Sequence, residues 1–126
     1  MADNELFDKI SDLIYHNDFD GFKATVDGLD NVNAQNKHGE SILHLAIRRD
    51  RMDMIKYLVE EKGADINITD VAGWTPLMEA VVDNFPDVVK YLVEQGADKS
   101  IPNGRGEPAP ALAQKFGRTS MFEYLL

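Results

Sequence analysis

The stretch GWTPLMEA, beginning at Gly73, recurs in altered form as GESILHLA from Gly39, and farther along VVKYLVEQGADKS falls on IKYLVEEKGADIN with one extra residue in the earlier copy. The turn glycines Gly39 and Gly73 lie 34 residues apart, and Gly63 and Gly96 lie 33 apart. A third register runs from GEPAPALA at Gly106 to MFEYLL, and a degenerate one upstream runs from DLIYHNDFDGFKATV to LDNVNAQN. Four units therefore cover almost the whole of the 126 residues. A unit of this length cannot bury an apolar face alone, so the repeats must stack to form a core.

The local chemistry of each unit spells two helices. Thr75 followed by Pro76 is a helix start: the hydroxyl accepts a bond from an orphan N–H, and proline at the first helical position gives up a donor that had no partner. Leu77, Ala80 and Val81 recur at helical spacing, and the small Ala80, like Ala46, allows close approach of a second helix. The second helix reads MIKYLVEE or VVKYLVEQ, with Ile55, Leu58 and Val59 matching Val89, Leu92 and Val93 on one stripe. Lys56 with Glu60 and Lys90 with Glu94 are helix-neighbour pairs on the other face. Gly63 and Gly96 suit the left-handed residue with which many helices stop, and Pro86 is placed like Pro76.

This cycle of turn, inner helix, turn, outer helix and Gly-Ala-Asp connection resembles the ankyrin repeat. The resemblance is carried by Gly73, Thr75, Pro76, Leu77, Ala80, Gly96, Ala97 and Asp98 in one repeat, and by Gly39, Ser41, Leu43, His44, Ala46, Gly63, Ala64, Asp65, Ile66 and Asn67 in another. It implies an all-α solenoid of about four stacked helix-turn-helix units with hairpin-like loops and atypical capping repeats at both ends. A single domain over 1–126 is expected, with repeats at 1–35, 36–69, 70–102 and 103–126. At the first cap, residues 4–16 read as one longer amphipathic helix with Leu6, Ile10, Leu13 and Ile14 inward. At the last, Pro108 and Pro110 interrupt the expected helix start, while Ala113, Met121, Phe122, Leu125 and Leu126 supply the apolar stripe. His44 takes the place of the family's structural histidine, so a catalytic role is not expected of it.

Composition excludes several chemistries. With 22 acidic against 13 basic residues and a net charge of −9, affinity for nucleic acid or an anionic membrane is disfavoured. There is no cysteine, hence no thiolate nucleophile, disulfide or Cys-based metal site. No apolar run reaches membrane-spanning length and the start lacks a secretory pattern, so a cytoplasmic protein is expected. His16 and His38 have no metal-ligand spacing, the loop PNGRGEP at 102–108 reads as a flexible hairpin tip rather than a phosphate loop, and no carboxylate pair is forced into an apolar pocket. No enzyme activity, cofactor or metal is expected.

What remains are the positions the scaffold does not need. The resemblance implies that hairpin tips and inner helices line a concave surface that binds protein partners. Here that surface is Lys37, His38, Glu40, Arg48 and Arg49, then Val71, Ala72, Trp74, Val82 and Asp83, then Arg105 and Phe116. Trp74 follows the turn glycine and belongs to the residue types enriched at binding hot spots, or packs its indole on neighbouring hairpins. The expected function is a monomeric, non-enzymatic interaction module for a protein partner. The alternative is an acidic inhibitor or immunity-type protein that neutralises a basic toxin or enzyme, steered by its charge.

Overall fold

The computed structural model describes residues 3–126, and among these the ordered elements are helices, with a lone antiparallel bridge between Gln35 and Ser41. The chain divides into two compact units, Met1–Asp65 and Ile66–Leu126. In the first unit, α1 (Asp3–Tyr15) and α2 (Phe19–Val26) form one repeat, and α3 (Ile42–Arg48) and α4 (Met52–Lys56) form the next. In the second, α5 (Pro76–Val82) pairs with α6 (Pro86–Glu94), and α7 (Ala109–Lys115) with a 3-10 turn, Thr119–Met121, and α8 (Phe122–Leu125). The all-α ankyrin-repeat fold expected from the sequence is present.

The turn from inner to outer helix is the same in all four repeats. Asn17, Asp50, Asn84 and Gly117 carry φ of 57°, 56°, 65° and 67°, and the following N–H reaches back to the carbonyl of Leu13, Ala46, Ala80 or Ala113. Asn, Asp and Gly are the residues that tolerate this left-handed turn. Even the degenerate first repeat keeps it.

Caps follow the side-chain chemistry. Thr75 Oγ1 accepts from Met78 N at 3.2 Å, with Pro76 beginning α5. Ser41 Oγ accepts from His44 N, and Ser41 N donates to His44 Nδ1 at 3.1 Å, so the buried His44 closes a reciprocal cap. Pro108 and Pro110 do not interrupt a helix. Pro108 caps α7 and Pro110 is its second residue, where the first-turn N–H would be unpaired in any case.

Each unit has a largely apolar core. In the first unit Ile10, Ile14, Phe22, Ile42, Ile47, Met54 and Leu58 are fully buried; in the second, Leu77, Met78, Val81, Val89, Leu92 and Leu112 are. Within α1 the inward stripe includes Phe7, 6% exposed, while Leu13 is only half-buried, a rotation of the stripe from the expected one. Leu126, expected inside, is 63% exposed because the helix ends one residue earlier.

The extra residue of the second repeat is absorbed inside its outer helix. After α4 the chain winds into a π turn, Tyr57–Glu61, where Lys62 N bonds to Tyr57 O, five residues back; at the equivalent place in α6, Gln95 N bonds to Tyr91 O, four back. One inserted residue in a helix produces this bulge. Both repeats then end alike, on Gly63 and Gly96 with positive φ.

Candidate interaction surface

Each hairpin is held by one side chain. Asn36 Oδ1 accepts from His38 N and Glu40 N, Asp70 Oδ1 from Ala72 N and Trp74 N, and Asn103 Oδ1 from Arg105 N and Glu107 N, all at 2.9–3.0 Å. A short carboxamide or carboxylate thus fixes the turn and the direction of the residue after the turn glycine. Sequence reasoning found the glycines and missed these three residues. Their signal was an Asn or Asp three positions before each turn glycine.

The position after the turn glycine and the end of the inner helix form a pair that differs between repeats. In the second repeat Arg48 bonds Glu40, which also accepts from Asn36 Nδ2 at 3.0 Å. In the fourth, Lys115 Nζ lies 2.9 Å from Glu107, which accepts from Asn103 Nδ2 at 3.2 Å. Burial raises the Glu40 pKa, but the bonds from Asn36 and Arg48 outweigh it and the carboxyl sits below its ordinary value. Glu107 is likewise held low, first by Lys115 and then by Asn103. In the third repeat the corresponding residues are Asp70, Trp74 and Val82, which can form no such ion pair.

The predicted contact residues therefore fall in two groups. In the second unit Trp74, Val82 and Asp83 are half-buried, Ala72 and Arg105 are exposed, Val71 is 76% exposed and Phe116 42%. The guanidinium of Arg118 and the ammonium of Lys115 lie 5.9 Å and 5.7 Å from the Phe116 ring centre. In the first unit Lys37, His38 and Arg49 are exposed, and Arg49 lies 4.8 Å from the Tyr15 ring centre. With Arg48 and Lys115 each tied to a carboxylate, the surface of each unit is less cationic than its residues imply.

The first unit also contains a groove that the sequence did not disclose. Among the described residues the first repeat forms no hairpin; α1 begins at Asp3, so a helix takes the register positions that the hairpin takes in the second repeat. Its residues Asp3, Asn4, Phe7, Asp8 and Ser11 face the hairpin 34–40 across a cavity of 630 Å³ floored by Leu45 and Arg48. A second cavity of 210 Å³ shares Ser11, Leu45 and Arg48 and continues to Asp12, Tyr15 and Arg49. Lys37, His38, Glu40 and Arg48 line the larger cavity together with α1. Asp3 helps set that wall, since its carboxylate accepts from Asp30 N at 3.1 Å and Asn31 N at 3.2 Å.

Among the described residues no three His, Asp or Glu side chains converge as a metal site, and no helix is long and apolar enough to cross a membrane. A family model described as ankyrin repeats, three copies, matches residues 10–103. The chain is 42% identical over 69 residues to human "Protein phosphatase 1 regulatory subunit 27", covering 55% of this chain and 44% of that protein. It is 31% identical over 112 residues to a putative ankyrin repeat protein of Rickettsia bellii, covering 88% of this chain and 62% of that one. A putative ankyrin repeat protein of Rickettsia felis is 40% identical over 85 residues, 68% of this chain and 22% of its own length. The chain thus spans less than two thirds of each of these relatives. The repeated hairpin lock, the shared helix turn and these matches place it in the ankyrin-repeat family, whose repeats mediate protein–protein interaction and are typically not enzymes.

Proposed function

We propose that this chain is a non-enzymatic interaction module that grips a protein partner through its hairpin tips and inner helices. The observation that carries this is the third repeat. Where the second and fourth repeats place an ion pair, it places Trp74 and Val82, and its hairpin tip carries Val71 and Ala72 outward. Within the second unit this partly exposed apolar cluster, with the Lys115–Glu107 ion pair in the next repeat, has the make-up of a binding hot spot with a polar rim. The human relative's name, a regulatory subunit of protein phosphatase 1, supports a role exercised through another protein.

The test is a photo-cross-linking amino acid placed at Val71 and, separately, at Lys90 on α6, in an extract of the source organism. An adduct from position 71 that disappears with Trp74→Ala is expected. An adduct from position 90 alone moves the partner to the outer helices. The net charge of −9 favours a basic partner on encounter. If the partner is a basic toxin or enzyme, its association rate falls steeply with added salt and its activity is lost on binding.

A further inference from the structure

We propose that the groove between α1 and the first hairpin holds an extended segment of a partner in which basic residues alternate with apolar ones. This rests on the interaction reading above and concerns the part of that surface contained in the first unit. The two cavities follow α1 from Asp3 to Tyr15. At 1.5 Å per helical residue that wall is about 18 Å long, room for five or six residues of extended chain at about 3.3 Å each.

Charge decides what such a segment carries. On the hairpin side Arg48 is occupied by Glu40, Arg49 lies over the Tyr15 ring, and Lys37 and His38 stand exposed at the tip, so the negative wall is that of α1. On the α1 side Asp8 and Asp12 are exposed, one turn apart on the same stripe, and α1 contributes no basic residue to either cavity. Residues 3–30 hold eight acidic and two basic side chains, a net −6 of the chain's −9, so the field along this wall is negative as well. Carboxylates four residues apart on a helix are separated by about 6 Å, close to the spacing of about 6.6 Å between alternate side chains of an extended strand. Two cations at alternate positions meet Asp8 and Asp12, and the side chain between them turns toward Leu45.

The experiment measures fluorescence anisotropy of labelled peptides of about seven residues in which Lys or Arg alternates with Leu, against peptides with Ser or Glu at the charged positions. The basic peptide is expected to bind at least about tenfold more tightly than the Ser peptide, with the Glu peptide weakest. Asp8→Asn with Asp12→Asn should remove at least about tenfold of that affinity. Glu5→Gln with Asp20→Asn, exposed acids outside the groove, should leave it nearly unchanged. Equal loss in both double variants means diffuse charge rather than a site, and absence of any preference for the basic peptide overturns the proposal outright. Both variants change exposed side chains, and their thermal transitions confirm folding. If the peptides fail while the adduct at position 71 persists, the groove is refuted and the interaction reading stands. Loss of both removes the interaction reading too.

Discussion

Asn103 shows how much a single side chain fixes in this fold. It is 6% exposed, and its Oδ1 accepts both Arg105 N and Glu107 N. Asn103→Ala leaves two backbone donors without that acceptor, and we expect a loss of about 1–3 kcal/mol, read from urea unfolding. A change below about 0.5 kcal/mol would mean that the turn holds itself. Glu40 offers a test by pH. Its folded pKa is lowered, so it adds stability above its unfolded value of 4.5, and that stability is lost as pH falls through the lower folded value. Arg48→Ala should bring the Glu40 titration back up toward 4.5, followed by NMR of its side-chain carboxyl, and should flatten that part of the acid-unfolding profile. At this scale the sequence was legible where the chemistry is local and repeated. Thr75, Pro76 and Gly39 announce a cap or a turn by type. The hairpin locks were hidden because Asn and Asp alternate among them, and Phe7 because the stripe of α1 is rotated by about one residue.

Among the elements, two arginines stand at equivalent places in the two units. Arg51 donates to the carbonyls of Ile14 and Tyr15 at 3.0 and 3.1 Å, and Arg118 to those of Val81 and Val82 at 3.1 and 2.7 Å. Each meets the C-terminal end of the preceding inner helix, where free carbonyls and the helix dipole favour a cation. Arg51→Met and Arg118→Met are each expected to cost about 1–3 kcal/mol in chemical denaturation, while Lys90→Met on α6, an exposed position, should cost under about 0.5 kcal/mol. The π turn makes a different prediction. Deleting Glu61 restores the spacing found in α6, so the protein should still unfold cooperatively, with a Tm within about 5 °C of the parent. Loss of the transition would show that the bulge itself is required, for example through Lys62, which lies 3.0 Å from Asp27. The insertion was visible in the repeat alignment, but its form was not, because a sequence does not say whether a helix bulges or a loop lengthens. The prolines of α7 were misjudged for a related reason: proline forbids a helix interior but not its first turn.

At the scale of the whole molecule, the acidic residues are unevenly spread, and the groove along α1 lies in the most acidic part of the chain. That groove exists because a hairpin is missing, and an absence leaves no motif to read. A fragment ending at Asn103 lacks α7 and α8, which cover α5 and α6. We expect α5 and α6 to lose protection in amide hydrogen exchange, and an unchanged cooperative transition would contradict this. One detail of the second unit bears on the speed of its encounters. Gly104 N donates to Ala72 O at 2.9 Å, joining one hairpin tip to the next, and a Cβ on Gly104 would sit 3.0 Å from that oxygen. Because the backbones touch, Val71 and Arg105 are carried on one stiff ledge that an incoming protein finds already assembled. Little freedom is then left to lose on docking, so variation among partners should appear in how long each stays bound rather than in how fast it arrives.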